Sequence, residues 1–248
     1  MSILSVTDQW AIIGIAGPKS RILVGRIVDD IDMSNESMPH MSVREGTLLG
    51  GIPCRIFRVS FSGELMFELN VPSGYGLHVW EQTMAIGSDL DIIPYGTETM
   101  HLLRAEKGFI IVGQETDGTV TPRDLNMEHL VSKKKDFIGK RSLLRKSMSG
   151  SNRKKLVGLL SENPKQVLAE GSQIIDVNVS LKAPVTMLGH VTSSYYSPNL
   201  NRSIALGLLR EDSIHNNPVV GIYADGKKLR AKVVDPVFYD RTGAKMRA

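Results

Sequence analysis

Cysteine and long apolar runs are both scarce in this sequence. Its 248 residues include a single cysteine, Cys54, so no disulfide can form within the chain. No apolar run approaches the roughly 20 residues that a membrane-spanning helix needs, and the first residues have neither the basic flank nor the apolar core of a secretion signal. We therefore expect a cytoplasmic protein that does not associate with membranes, in a compartment where thiols remain reduced.

The sequence also lacks the short motifs of common catalytic sites. It has no GxGxxG, no P-loop and no GxSxG elbow, so the usual signs of dinucleotide binding, nucleotide hydrolysis and serine-hydrolase chemistry are missing. Its six histidines are scattered without ligand spacing, and we expect no metal site. We predict that Cys54 is a core residue and assign no catalytic residue to the chain.

Neither charge sign dominates strongly. The chain has 30 Lys and Arg residues against 26 Asp and Glu residues, a net charge of +4, which favours an anionic ligand or weak contact with nucleic acid. Short basic runs lie at residues 133–135 and 153–155. No aromatic platform or recognised motif accompanies them, so we do not expect a nucleic-acid partner.

Apolar periodicity divides the chain into two regions. Residues 9–16 read as a strand, a helix follows Gly17-Pro18, and Gly50-Gly51 marks a hairpin turn. A Ser/Gly/Asn segment at 147–152 is a candidate linker. Beyond it, six short apolar runs separated by turn residues predict a small all-β barrel or sandwich, and of the two we expect an antiparallel β-barrel. We expect an α+β fold with a mixed domain at 1–150 and the barrel at 151–248.

Residues 57–72 are the most informative segment. They predict strand, tight turn and strand, with Val59 and Phe61 on one face of the first strand. In the second strand, Glu68 falls on the face opposite Phe67 within an otherwise apolar run. A carboxylate in that position is solvated, paired with a cation, or used to bind a ligand. The solvated face of a half-exposed sheet is the simpler alternative.

The segment Phe61-Ser62-Gly63-Glu64 resembles the Tyr/Phe–Thr/Ser–Gly–Glu motif of the folate-binding aminomethyltransferase family, to which the glycine cleavage T-protein belongs. Within that family the chain is most similar to the C-terminal region of the large subunit of heterotetrameric sarcosine oxidase. The resemblance runs from about residue 6 to about residue 239. Further blocks that carry it are residues 95–98, 103–122, 136–141, 189–194, 197–200 and 203–206.

The resemblance implies a tetrahydrofolate site. In the family, the glutamate at the Glu68 position grips the pterin ring, and the aromatic at the Phe61 position lines the same pocket. One carboxylate can accept the two neighbouring N–H groups of a pterin in parallel, as it does with arginine. Where many T-proteins carry an arginine for the glutamate tail of folate, this chain has Met100. The other candidate cofactor contacts are Arg104, Tyr95 and Tyr239, with a buried ion pair as the alternative role for Arg104.

The resemblance also implies missing parts. Family members carry an upstream segment with part of the folate-binding fold and the acid/base aspartate, and nothing here matches it. We therefore expect an incomplete folate domain, with flavin and nicotinamide sites only in partner chains or absent regions. The implied function is capture of a one-carbon unit from an oxidised methylamine as 5,10-methylenetetrahydrofolate. Implied partners are other sarcosine oxidase subunits, an upstream half, or a second copy. The alternative is a non-catalytic scaffold of a flavoprotein amine oxidase.

Overall fold

The computed structural model describes residues 2–150 and 152–248. Its contacts divide the chain into two compact units. The first, which we call the N-terminal unit, contains the residues up to Leu103 together with Asp240–Ala248. The second, the barrel unit, runs from Arg104 to Tyr239.

The N-terminal unit is built on a four-stranded antiparallel sheet with the order β1-β4-β3-β2. Its buried core combines Ile13 and Ile15 of β1 with Phe67 and Leu69 of β4 and with the apolar side of helix α1. The elements are β1 (Trp10–Ala16), α1 (Ser20–Ile27), β2 (Val43–Leu48), β3 (Ile52–Phe57), β4 (Met66–Pro72), α2 (Gly76–Ile86) and α3 (Thr97–Glu106).

The predicted hairpin at Gly50-Gly51 is confirmed and joins β2 to β3. Both glycines have positive φ values, 79° and 115°, a region that side chains with a Cβ rarely enter. The Asp29 carboxylate accepts hydrogen bonds from the main-chain N–H groups of Gly50 (3.1 Å) and Gly51 (2.9 Å). These bonds lower the pKa of Asp29 and hold the turn in place.

The strand predicted up to Phe61 is shorter than expected, because β3 ends at Phe57 and β4 begins only at Met66. Phe61 therefore lies in the bend between the strands. The Ser60 hydroxyl accepts a bond from the Gly63 N–H (2.9 Å) and donates one to the Glu64 carbonyl (2.6 Å). Local side-chain bonds of this kind compete with the strand ladder for backbone groups.

The barrel unit contains the predicted closed antiparallel barrel, and each of the six apolar runs forms one of its strands. The barrel order is β10-β5-β8-β7-β6-β9. The elements after α3 are α4 (Lys140–Leu143), α5 (Lys146–Ser149), β5 (Lys154–Ser161), β6 (Gln173–Asp176), β7 (Gly189–Ser197), β8 (Arg202–Arg210), α6 (Glu211–Asn216), β9 (Val219–Ala224), β10 (Lys227–Val234) and, back in the N-terminal unit, α7 (Ala244–Arg247).

Close strand packing in the barrel depends on Gly189. A Cβ added there would lie 2.0 Å from the main-chain oxygen of Leu208 on the neighbouring strand, far inside van der Waals contact. Leu159, Ile174 and Ile222 are buried in the barrel core. Over the part of the chain that the structure describes, no helix is both long and apolar enough to cross a membrane.

Candidate functional site

The N-terminal unit contains a cavity of about 790 Å³, a size typical of small-molecule sites. Strand β1 and the start of β4 form one wall, and the turn at residues 17–20 closes one end. Helix α2, the segment 90–97 and the first turns of α3 supply the other walls. The whole lining lies within one compact unit, so the cavity is complete without the barrel unit.

Glu68 places a carboxylate in this cavity. It lies on the face of β4 opposite Phe67 and Leu69, which are fully buried. Gly14 is its cross-strand partner in β1, so no side chain stands beside the Glu68 carboxylate on that strand. A Cβ at Gly14 would come within 2.8 Å of the terminal methyl of Met66. The Met66 side chain therefore packs over Gly14, and a larger residue at position 14 would displace it.

The Glu68 carboxylate stands alone among the residues 2–150 and 152–248 that the structure describes. Among the residues that the structure describes, no donor hydrogen-bonds to it and no cation pairs with it, and partial burial is what raises the pKa of Glu68. Burying a charged group without a partner is unfavourable. An unpaired carboxylate that faces a preformed cavity is therefore a group available to a ligand.

Tyr95 lies in the same cavity as Glu68. Burial and then the negative charge of Glu68 raise the pKa of the Tyr95 hydroxyl. The phenol therefore stays protonated, and it is close enough for the charge of the Glu68 carboxylate to act on it. Its ring and hydroxyl offer a ligand both apolar area and a hydrogen bond.

The rest of the lining is mostly apolar, with one cation near an end. Trp80 and Met84 of α2 and Met100 of α3 contribute apolar surface. The Lys19 ammonium lies 3.3 Å from the Asp91 carboxylate and donates a hydrogen bond to the main-chain oxygen of Leu90 (3.2 Å), and the side chains of Lys19 and Asp91 are largely exposed. Such an exposed pair holds Lys19 only weakly.

Two of the five residues predicted to contact the cofactor line this cavity, Glu68 and Tyr95. Phe61 lies in the bend before β4 and is not part of the lining, and Arg104 and Tyr239 belong to the barrel unit. The predicted ligand contacts of these three residues remain predictions. The sequence analysis did not identify Gly14, Lys19 or Trp80 as site residues.

The Arg104 side chain is held in a buried network of an ion pair and hydrogen bonds. Its guanidinium is fully buried and forms an ion pair with the equally buried Glu115, N–O distance 3.0 Å. It also donates to the Ser193 hydroxyl (2.6 Å) and to the main-chain oxygen of Phe109 (3.0 Å). Glu115 in turn accepts a bond from Ser193 (2.6 Å) and one from the N–H of Ile111 (2.8 Å). This network corresponds to the alternative role considered for Arg104.

Glu106, two residues further along α3, has separate partners. Its carboxylate accepts bonds from Ser197 (2.6 Å) and Asn199 (2.9 Å). Arg104 and Glu106 therefore do not pair with each other, as their spacing predicts.

Cys54 is buried, as predicted, and burial raises the pKa of its thiol to about 11. The thiol is therefore protonated at neutral pH and is a poor nucleophile.

Comparison with known proteins gives matches to two family domains. Residues 1–135 match the GCVT N-terminal domain, and residues 154–240 match the Glycine cleavage T-protein C-terminal barrel domain. A solved structure with a similar fold is the glycine cleavage system aminomethyltransferase T from Bartonella henselae. It aligns with a TM-score of 0.75 and 20% identity over 94% of this chain and 60% of that chain.

Curated relatives are of two kinds. The sarcosine oxidase subunit alpha of Corynebacterium sp. (strain P-1) is 46% identical over 242 residues, and that of Rhizobium meliloti (strain 1021) is 39% identical over 240 residues. These alignments cover 97% and 95% of this chain but 25% and 24% of the two subunits. The aminomethyltransferase of Thermoanaerobacter sp. (strain X514) is 27% identical over 97% of this chain and 62% of its own length.

The chain thus spans about a quarter of the sarcosine oxidase subunits and under two thirds of the aminomethyltransferases that it matches. The resemblance identified from the sequence motifs is confirmed. The match to the N-terminal family domain covers more than half of the chain, and the barrel domain accounts for most of the remainder. The chain belongs to the glycine cleavage T-protein (GCVT) family.

Proposed function

We propose that the cavity of the N-terminal unit binds tetrahydrofolate, with the Glu68 carboxylate gripping the pterin ring. The observation that carries this proposal is a carboxylate that has no partner among the described residues and faces a largely apolar cavity of about 790 Å³. A pterin presents a ring N–H and an amino group side by side, and one carboxylate accepts both. The ligand then supplies the two hydrogen bonds that Glu68 lacks.

The walls suit the flat ring of such a ligand. Tyr95 provides an aromatic surface beside Glu68, and Trp80 and Met84 provide apolar area from α2. Gly14, the cross-strand neighbour of Glu68, puts no side chain next to the carboxylate on β1. The ligand contacts predicted for Phe61, Arg104 and Tyr239 are not needed for this arrangement.

Lys19 is our candidate for the residue that binds the acidic tail of the cofactor. It lines the cavity, and its exposed pairing with Asp91 costs little to exchange for a ligand carboxylate. Met100 occupies the position where T-proteins commonly carry an arginine for this tail. We propose that Lys19 supplies the cation that is missing at Met100.

The reaction we propose is the capture of a one-carbon unit. A methylamine is oxidised to an imine, and water can hydrolyse the imine to formaldehyde and the free amine. Nitrogens N5 and N10 of tetrahydrofolate then take up the carbon of the imine or of formaldehyde to give 5,10-methylenetetrahydrofolate, and the amine or water leaves. The contribution of this chain is to bind and orient the folate. The similarity to sarcosine oxidase alpha subunits supports this reading, and we assign the amine oxidation to a flavin held outside this chain.

A ligand titration tests the proposal against the scaffold alternative. The melting temperature of the purified chain is followed with 5-formyltetrahydrofolate, an oxidation-resistant reduced folate, and with p-aminobenzoylglutamate, which lacks the pterin ring. A ligand that binds only the folded state raises the melting temperature by mass action. We expect protection by the first compound and little by the second. A folded chain that neither compound protects would favour the scaffold.

A further inference from the structure

A second feature of the molecule is a concentration of positive charge in residues 133–146, which we call the basic segment. It contains seven Lys and Arg residues and one carboxylate, Asp136, and so carries a net charge of +6. The whole chain carries +4, so all other residues together carry −2. In the part of the chain that the structure describes, the one ion pair within this segment joins Lys140 to Asp136 at 3.5 Å.

The basic segment borders an apolar cavity of about 750 Å³ in the barrel unit. Leu130, Phe137, Leu143 and Met148 contribute apolar lining. Ile138, which also lines the cavity, is fully exposed to solvent, and Leu130 is 65% exposed. Exposed apolar side chains grouped in this way usually mark an interaction surface.

We propose that this surface is the docking site for a separate protein chain that presents an acidic segment with apolar side chains. The apolar side chains of that partner enter the cavity around Ile138, while its carboxylates meet the lysines and arginines of the basic segment. Protein interfaces commonly combine an apolar centre with a charged rim in this manner. The complementary charge adds specificity and speeds the encounter.

Charge complementarity and shape argue against the other occupants. A second copy of this chain placed face to face would bring +6 against +6, which is repulsive. Nucleic acid would meet the cations but leave the apolar cavity unfilled, and Phe137 is the one aromatic residue in its lining. Helices α4 and α5 have four residues each, too short to lie in a membrane surface as amphipathic helices.

The concentration of charge also favours a partner that arrives by diffusion. Electrostatic steering accelerates the encounter of separate molecules and brings little benefit to a segment already tethered to the same chain. The proposal does not rest on the folate site. The basic segment lies in the barrel unit, whereas the folate cavity lies in the N-terminal unit.

A fluorescent peptide of about 16 residues, built from Glu and Leu at helical spacing, is the probe for this surface. Fluorescence anisotropy measures its affinity for the full chain. We expect binding that weakens roughly tenfold or more between 0.15 M and about 0.5 M NaCl. A peptide with every Leu replaced by Ser is expected to bind much more weakly. Equal binding of the two peptides would overturn the proposal, because the apolar cavity would then play no part.

Two variants and a matched control locate the binding. Lys133→Glu/Lys134→Glu/Lys135→Glu and, separately, Ile138→Ser are each expected to reduce affinity roughly tenfold or more. Lys182→Glu/Lys227→Glu/Lys232→Glu makes the same change in net charge at exposed positions elsewhere in the barrel unit and is expected to bind normally. Equal losses in both triple variants, or loss in neither the first triple nor Ile138→Ser, would refute the site.

Competition distinguishes the classes of partner. Unlabelled transfer RNA and vesicles containing phosphatidylglycerol are added to the bound Glu/Leu peptide. We expect weak displacement by either one. Displacement by transfer RNA at concentrations well below that of the unlabelled peptide would assign the surface to nucleic acid instead. Displacement by the vesicles would assign it to a membrane. The reduced-folate titration is independent of all these outcomes.

Discussion

Replacing Glu68 by Gln is expected to stabilise the ligand-free protein and to weaken folate binding. Burial raises the pKa of Glu68 in the folded state above its value in the unfolded chain. The folded state therefore disfavours the charged form, and stability falls as the pH rises between the unfolded and the folded pKa. Gln carries no charge to bury. The Glu68→Gln variant should therefore melt at a higher temperature than wild type at neutral pH, and this difference should disappear in acid.

The effect on binding has the opposite sign. A hydrogen bond to a charged group contributes about 1.5–3 kcal/mol. Gln offers one acceptor and turns a donor towards the N–H groups of the pterin. A loss of about 3 kcal/mol corresponds to an affinity more than 100-fold weaker. A ligand at 100 times its dissociation constant stabilises the wild-type chain by about 2.7 kcal/mol, and the variant, at the same concentration, by about 0.3 kcal/mol.

Thermal melts with and without 5-formyltetrahydrofolate, at pH values from about 4 to 8, measure both effects. For a chain of this size, 1 kcal/mol shifts the melting temperature by about 2–4 °C, so we expect ligand shifts of about 5–10 °C for wild type and about 1 °C for the variant. Glu81→Gln, an exposed position on α2 outside the cavity, is the control. A variant that melts lower than wild type without ligand, or that keeps the full ligand shift, would refute the role of Glu68.

Three further substitutions test other contacts. Gly14→Leu should displace the Met66 side chain beside Glu68 and weaken reduced-folate binding roughly tenfold, whereas Gly25→Leu, on an exposed side of α1, should leave binding unchanged. Glu115→Ala leaves the buried charge of Arg104 unpaired and should cost about 3–5 kcal/mol in urea melts, and a loss below about 1 kcal/mol would contradict the buried pair. Arg58 donates to the main-chain oxygens of Met38 (2.7 Å) and Ala248 (2.6 Å). Arg58→Met should therefore speed hydrogen exchange in residues 240–248, and unchanged exchange would contradict that anchoring.

The six strands of the barrel were predictable because each is defined by residues that are close together in the sequence. Each strand is a short apolar run bounded by turn residues, and closure of six such strands removes the exposed edges of the sheet. The hairpin at Gly50-Gly51 was predictable for the same reason, since the positive φ values of its turn select glycine. The strands and the hairpin depend on residues that are close together in the sequence, whereas closure of the barrel pairs β10 with the distant β5, as in Val234 with Gly158.

The limits of the sequence prediction also have physical causes. The strand expected to reach Phe61 stops at Phe57, because the bonds of Ser60 across the bend outweigh the apolar alternation. The partner of Arg104 is Glu115, which lies in a loop without periodicity that would predict the contact. Trp80 lines the cavity, yet on an amphipathic helix it has the same pattern as a core residue.

Three carboxylates of this chain show how structural and ligand-binding roles differ. Glu106 and Glu115 are fully buried, and hydrogen bonds or a cation satisfy each of them. Glu68 is partly buried and lacks such partners among the described residues, although it lies on a regular strand with rigid neighbours. A group whose burial opposes its charge persists in a folded domain when a ligand uses that charge. The same change to Gln should therefore destabilise the protein at Glu115 and stabilise it at Glu68, and a loss of stability at both positions would show that Glu68 is a structural residue.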